Sequence, residues 1–254
     1  MALTKEETAE VRKVVGDSLD RAERIWGEVG VNFSGSERRH IVLANEAVDS
    51  KIPGHPAVQE QIAEVDDFVA LVADMRDSSK HLMTRIGSAK VSELQRVFYE
   101  TSALIPALAM AIRFGGGSVT EYLGDGVLAL FQAGGAKKTG AIYSAHSAAT
   151  NCLEVVSEAI NPLIAKRYSL PPIVIGVGMS FSKAIVTVVG DDSHREAKVF
   201  GECVYYASKL SGGCNQIYID EALKFAWPES DNGVLRFLRK KVREVDGYLI
   251  SENS

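Results

Sequence analysis

The sequence predicts an α/β sandwich, a mixed β-sheet with helices packed against it. Phe68-Val-Ala-Leu-Val-Ala73 is a continuous apolar run of strand length. Val119–Tyr122 and Val127–Phe131 flank the tight turn Gly124-Asp125-Gly126 and read as a hairpin with an acidic tip. Helical patterns over 90–113 and 139–167 alternate with these strand patterns, as layered α/β architectures require.

Taken in chain order, Val11, Val14, Val15, Leu19, Ala22 and Ile25 recur at helical spacing within residues 5–29, and Gly27 and Gly30 follow. A second short helix is expected over 39–49, broken by Ile52-Pro53-Gly54-His55-Pro56. Residues 1–60 therefore read as an N-terminal helical extension and residues 61–254 as the main domain. In that domain a buried strand ends at Asp74 and a helix follows. Phe114-Gly-Gly-Gly-Ser118 then turns the chain into the hairpin. Ile173–Met179 and Ala184–Val189 read as two strands, 202–211 as a helix, and 217–219, 234–239 and 246–250 as short strands.

A chain of 254 residues with 46% apolar composition can bury one sizeable core. Its net charge of −5, with both signs mixed, argues against broad nucleic-acid binding, which needs a basic stripe. Cys152, Cys203 and Cys214 fit neither a zinc site nor a disulfide framework, which points to a reducing compartment. The N-terminus carries no apolar signal segment, and no run approaches the ~18 apolar residues of a membrane span. A cytoplasmic location is expected. Gly134-Gly-Ala-Lys-Lys-Thr139 lacks the spacing of a phosphate loop, and the five histidines lack metal spacing.

Asp74 follows a buried strand and Asp125 sits at a hairpin tip between two glycines. A hard dication needs oxygen ligands on rigid positions, and a strand end beside a hairpin tip can bring two carboxylates together. Singly, each has a plainer use. Asp74 could cap a helix starting near Arg76, and Asp125 could be an ordinary turn residue.

The order of segments adds specificity. It runs strand–Asp74–Met75, helix, glycine-rich turn, Leu123-Gly124-Asp125-Gly126, Ile175-Gly-Val-Gly178, then Phe200-Gly-Glu-Cys-Val-Tyr-Tyr-Ala-Ser-Lys-Leu210. This order resembles the catalytic domain of class III adenylate and guanylate cyclases over roughly residues 66–250. The resemblance implies a ferredoxin-like mixed sheet. It also implies an enzyme that closes a nucleoside triphosphate into a 3′,5′-cyclic monophosphate and releases pyrophosphate. By the same resemblance Asp74, Asp125 and the Met75 carbonyl hold two divalent metal ions, Mn²⁺ or Mg²⁺. The backbone of Arg76, Asp77, Ser78 and Ser79 would face the phosphates, as a helix N-terminus does.

Tyr205 stands where the family has an asparagine that orients the ribose. Lys209 stands where an arginine neutralises the transition state; it keeps the charge but loses the two-pronged geometry. Lys240 matches a phosphate-holding lysine, and Glu121 and Lys198 match the base-reading positions. Plainer readings are open here too: Lys209 and Lys240 as solvated lysines, Glu121 and Lys198 as a surface ion pair. The family pairs head to tail. A homodimer would therefore have composite sites, with Asp74 and Asp125 from one chain and Tyr205 and Lys209 from the other.

More narrowly, the Asp74-Met-Arg-Asp-Ser-Ser79 stretch and the divergent site residues look like the pyrimidine cyclases of bacterial Pycsar antiphage systems. That would imply cyclic UMP or cyclic CMP as a signal for a separate effector. Glu121 can only accept hydrogen bonds and Lys198 only donate them, which matches uracil's N3–H and O4. Cytosine, guanine and adenine each also offer a donor and an acceptor, so pocket volume must decide. Tyr205, Tyr206 and Phe200 would add bulk favouring a single-ring base. A purine cyclase and an inactive cyclase-fold binding domain are the alternatives. Tyr205 and Lys209 feed the second of these, while the retained Asp74 and Asp125 speak against it.

Overall fold

The structure, a computed structural model, describes residues 3–29, 47–59, 63–191, 194–229 and 233–252. Helix α1 (Lys5–Val29) precedes a small hairpin of β1 (Ala47–Ile52) and β2 (His55–Gln59). Then come β3 (Glu64–Met75), the short α2 (Ser78–Met83), α3 (Glu93–Phe114), β4 (Ser118–Tyr122) and β5 (Gly126–Gln132). Next are α4 (Lys138–Val155), α5 (Asn161–Tyr168), β6 (Ile175–Asp191), β7 (His194–Gly201) and α6 (Glu202–Leu210). The chain ends on β8 (Gln216–Ile219), α7 (Glu221–Ala226), β9 (Leu235–Val242) and β10 (Val245–Glu252).

The main sheet has eight strands in the order β4-β5-β3-β6-β8-β10-β9, with β7 also paired to β6. The β6–β8 pair is parallel and the other pairs are antiparallel, so the sheet is mixed, as expected. Within it, β3, β4, β5 and β6 lie in the order β4-β5-β3-β6, with helices joining β3 to β4 and β5 to β6 and a hairpin joining β4 to β5, the split βαβ arrangement.

Strand β3 is central, and alternation divides its side chains between two cores. Val69, Leu71, Ala73 and Met75 face the larger core beneath α1, α3 and α4. Phe68, Ala70 and Val72 face a second core shared with Ile52 and Val58 of the hairpin and with Cys203 and Ala207 of α6. A strand buried on both faces reads as the unbroken apolar run seen in the sequence. Ser92 and Gln95 form a capping box that starts α3.

Several expectations are corrected. The helix expected over 39–49 lies largely outside the described residues, and 47–49 open strand β1 instead. The helix expected over 5–29 is α1, with Gly27 inside it; the side chains of Ala22 and Ile25 and all of Gly30 lie outside the described residues. The two strands expected over 173–189 are one strand, β6, and β7 and α7 were not anticipated. The long helix expected over 139–167 is interrupted by a π-helical turn at Val156–Ile160. Pro162 has no N–H for the Glu158 carbonyl, which instead accepts Arg12 Nη2 at 3.1 Å. Glu93–Phe114 is long and apolar enough, by length and mean hydropathy alone, to cross a membrane, although its apolar run is broken by Arg96 and Glu100. Half of that stretch is buried in the core, and its buried side includes Arg96 and Glu100.

Candidate active site

Asp74 is the penultimate residue of β3 and pairs in register with Gly126 on one side and Gly176 on the other. The glycines are required by closeness. A Cβ on Gly126 would stand 2.5 Å from the Ala73 carbonyl and 3.0 Å from the Asp74 carboxylate. Gly124, at φ 77°, makes the left-handed turn that places Asp125 beside this strand end. The Met75 amide donates to the Asp125 carbonyl at 3.1 Å, and Ser78 Oγ donates to the Asp125 carboxylate. Asp74 and Asp125, far apart in sequence, therefore converge as expected. Burial pushes the Asp74 carboxyl up to about 6, and the neighbouring Asp125 charge adds to it. The Asp74 side chain, about one-fifth exposed, meets Arg76 Nη1 at 3.6 Å and Arg243 Nη2 at 3.7 Å on the same oxygen.

These arginines are seated by the end of α6. Arg76 Nη1 donates to the Ser211 carbonyl at 3.4 Å, and Arg243 Nη1 donates to the Ser208 carbonyl at 3.2 Å. The carbonyls at a helix C-terminus carry partial negative charge that favours cations. Helix α6 reaches this position because Gly176 and Gly178 of β6 let it approach. A Cβ on Gly178 would stand 2.1 Å from the Ala207 carbonyl, and one on Gly176 would stand 2.0 Å from the Ser211 carbonyl. The Ile175-Gly-Val-Gly178 motif thus has a packing cause.

The segment expected to face phosphate is only partly available. The Arg76 amide is bonded to the Val174 carbonyl at 2.8 Å, so it is already satisfied. Asp77 adopts a left-handed conformation at φ 59° and pairs with Lys80 at 2.8 Å rather than capping α2 with its side chain. The first turn of α2 leaves the amides of Ser78 and Ser79 without helical acceptors. The position of α2 is fixed from behind. His81 Nδ1 lies 2.7 Å from Glu100 Oε2, and Arg96 Nε donates to Glu100 Oε1 at 2.8 Å, with Glu100 fully buried.

The other predicted residues make contacts of their own. Tyr205 and Lys209 share one side of α6, with the Lys209 ammonium 5.5 Å from the Tyr205 ring centre. Lys240 is exposed on β9 opposite Gly247; the residue of this hairpin that reaches Asp74 is Arg243, which the sequence reading did not single out. Glu121 of β4 and Lys198 of β7 meet at 3.4 Å, and Lys198 also meets Glu196 at 3.0 Å. Despite the cost of burial, these carboxylates hold the Lys198 ammonium above the usual lysine range. Both residues line an open cleft of ≈ 520 Å³. Tyr205, Tyr206 and Phe200 do not line it; Tyr122 is its aromatic wall. The bulk argument for a single-ring base therefore loses the three aromatics on which it was built.

Among the described residues, no cluster of three or more histidine, cysteine or carboxylate side chains could hold a metal. The Asp74–Asp125 pair still suits a divalent ion. It offers hard oxygen donors, and burial followed by the Asp125 charge raises the Asp74 carboxyl, which a bound cation would offset.

No protein-family model matches the chain. An adenylate cyclase of Anabaena cylindrica is 26% identical over 153 residues, which is 58% of this chain and 29% of that protein. The chain thus spans less than a third of the length of that curated relative. Among solved structures, the adenylyl cyclase CyaB from P. aeruginosa superposes with a TM-score of 0.62 at 15% identity, covering 76% of this chain and 97% of that one. The guanylyl cyclase Cya2 gives 0.60 at 19% identity, covering 76% and 95%. The chain therefore has the fold of adenylyl and guanylyl cyclase catalytic domains.

Proposed function

We propose that this chain is a nucleotidyl cyclase whose substrate is a pyrimidine nucleoside triphosphate, UTP ahead of CTP. The observation that carries the cyclase reading is the convergence of Asp74 and Asp125 at one end of the sheet in a cyclase fold. When bound there, two divalent ions, Mn²⁺ or Mg²⁺, would neutralise the triphosphate and favour ionisation of the 3′-hydroxyl. Asp74 and Asp125 would hold them, with the Met75 carbonyl as a further donor. Ser78 orients the Asp125 carboxylate through its hydroxyl hydrogen bond. The amides of Ser78 and Ser79 and the guanidiniums of Arg76 and Arg243 supply positive charge towards the phosphates, where positioning accounts for most of the rate. Lys240 would add a further charge.

Lys209 and Tyr205 are assigned to the transition state and the ribose. The two meet on α6, and the resemblance supports a head-to-tail homodimer in which each site would join Asp74 and Asp125 of one copy to Lys209 and Tyr205 of the other. Residues 1–60 would be an extension of a cyclase domain over 61–254.

Glu121 and Lys198, an acceptor beside a donor in one cleft, match uracil's N3–H and O4 and equally guanine's N1–H and O6. The pyrimidine reading therefore leans on the resemblance of the Asp74–Ser79 stretch rather than on the pair alone. That resemblance to Pycsar enzymes makes the product an antiphage signal read by a separate effector. A purine cyclase is the second reading, favoured by the names of the similar proteins, an adenylate cyclase and a guanylyl cyclase. Equimolar ATP, GTP, CTP and UTP with Mn²⁺, followed by mass spectrometry of the products, separates them. Mainly cyclic UMP is expected. Mainly cyclic AMP or cyclic GMP would overturn the pyrimidine reading, and no cyclic product would overturn the cyclase reading.

A further inference from the structure

Helix α2 carries the Ser78 hydroxyl to Asp125, yet little of it is buried. Of its six residues, Ser78 and His81 are half-buried, and Ser79, Lys80, Leu82 and Met83 are exposed. Ser78 and His81 lie three residues apart and so share one face of the helix. A helix this short, with no buried apolar side chain, is not held in place by its own backbone bonds.

Two polar contacts hold it instead. Ser78 Oγ donates to the Asp125 carboxylate. One turn later, His81 Nδ1 lies 2.7 Å from Glu100 Oε2. Arg96 Nε donates to the other oxygen of the Glu100 carboxylate at 2.8 Å, so that carboxylate accepts and His81 Nδ1 donates. Glu100 is fully buried on α3, beside Ala103 and Leu104 of the larger core, which makes it a fixed support. The two contacts are coupled through a single turn. Asp77, at φ 59°, bends the chain into α2, and its carbonyl accepts the amides of Lys80 and His81 at 2.8 and 3.1 Å. The contacts therefore run from Arg96 and Glu100 to His81, across one turn of α2, to Ser78 and Asp125.

We propose that His81 is a positioning residue for the metal pair: its hydrogen bond to Glu100 seats α2 so that Ser78 holds the Asp125 carboxylate in one orientation. This rests on the reading of Asp74 and Asp125 as metal ligands. A ligating carboxylate that loses its own hydrogen-bond partner binds metal about 10–100-fold more weakly. Without the His81 contact, α2 is released from its support and Ser78 no longer fixes the Asp125 rotamer.

The test uses the full chain and Mn²⁺ alone, with calorimetric binding taken as the part that Asp125→Ala abolishes. His81→Leu is expected to weaken that binding about tenfold. His81→Asn, whose amide stands where Nδ1 stood, is expected to stay within about threefold of the parent. Ser78→Ala is expected to weaken binding by a factor similar to that of His81→Leu. Because both act through one contact, the double variant is expected to lose no more than about threefold beyond either alone. Amide exchange without metal is expected to quicken over 78–83 in His81→Leu and to stay unchanged in β3 and β5. His81→Ala replaces His81→Leu if that variant does not fold. Binding within about twofold of the parent in His81→Leu would overturn the proposal. So would losses that multiply fully in the double variant, unchanged exchange over 78–83, or binding by His81→Asn as weak as by His81→Leu. A parent whose Mn²⁺ binding survives Asp125→Ala would defeat the metal reading and the proposal with it. A parent that binds Mn²⁺ through Asp125 but forms no cyclic product would defeat the cyclase reading alone.

Discussion

Arg243 Nη2 lies 3.7 Å from Asp74 Oδ2, the oxygen that Arg76 Nη1 also approaches at 3.6 Å. Arg243 holds this place because it takes a left-handed conformation, φ 53°, in the turn between β9 and β10. In the proposed reaction its guanidinium would be a charge for the triphosphate rather than a metal ligand. Arg243→Ala is expected to raise KM for the nucleotide roughly tenfold, while the Mn²⁺ concentration for half-maximal rate does not rise. Initial rates over a grid of nucleotide and Mn²⁺ concentrations check this. Weaker Mn²⁺ dependence with unchanged KM would contradict it.

The raised Asp74 carboxyl links stability to pH. Its folded value of about 6 lies above the ordinary value of 3.8, mainly through burial and then through Asp125. The folded chain therefore holds a proton in this window that the unfolded chain has lost. Stability falls as pH rises from about 4 to about 6 and stays lower above that. Without metal, Asp74→Asn is expected to melt a few degrees above the parent at about pH 8, roughly 1 kcal/mol after solvent screening. The advantage should shrink towards pH 4. Mn²⁺ should raise the melting temperature of the parent at about pH 8 more than that of the variant. A variant less stable than the parent at about pH 8 without metal would contradict the assignment.

The buried Glu100 anchors α2 through His81 and belongs to α3 with Arg96. Glu100→Leu leaves both partners beside an apolar side chain. A loss of about 3 kcal/mol is expected, because a broken buried pair costs more than the pair contributes. Denaturant unfolding measures it. A cost under about 1 kcal/mol would mean that water replaces the carboxylate.

Lys209 and the aspartates are expected to act from different copies. Lys209→Ala should lower kcat on the order of a hundredfold with little change in KM, as for loss of a charge used in the transition state. Lys209→Arg should retain activity. Mixing Lys209→Ala with Asp74→Ala should recover rate through one intact composite site. No recovery in dimers shown to be mixed would exclude the shared site.

Much of this was legible in the sequence because it lies in local patterns. The run Phe68–Ala73 reads as a central strand since both of its faces are buried, and Gly124-Asp125-Gly126 reads as a turn since Gly124 needs a positive φ. Other elements depend on partners remote in sequence. Pro53, Gly54 and Pro56 read as breakers, yet they lie in a hairpin secured by His55 against Glu64 and Asp66. Ser180 and Ser182 made β6 look like two strands. Ser180 is buried within it because its hydroxyl donates to Asp220 at 2.7 Å, and Asp220 also caps α7. The polar His194-Arg-Glu-Ala-Lys198 stretch hid β7, a strand that among the described residues pairs with β6 alone and needs little apolar content. Arg243 could not be chosen over Lys240 without the turn that aims it at Asp74.

Asp74 and Asp125 as a shared metal-dependent catalytic pair are tested most directly by product formation in carboxylate variants. Parent, Asp74→Ala and Asp125→Ala proteins, each checked for folding, are incubated with nucleoside triphosphate and Mn²⁺. Cyclic nucleotide and pyrophosphate are then quantified together. The expected result is equal amounts of both from the parent and a loss of at least about a hundredfold from either variant. Near-parental turnover in either variant, or pyrophosphate without cyclic nucleotide from the parent, would contradict it.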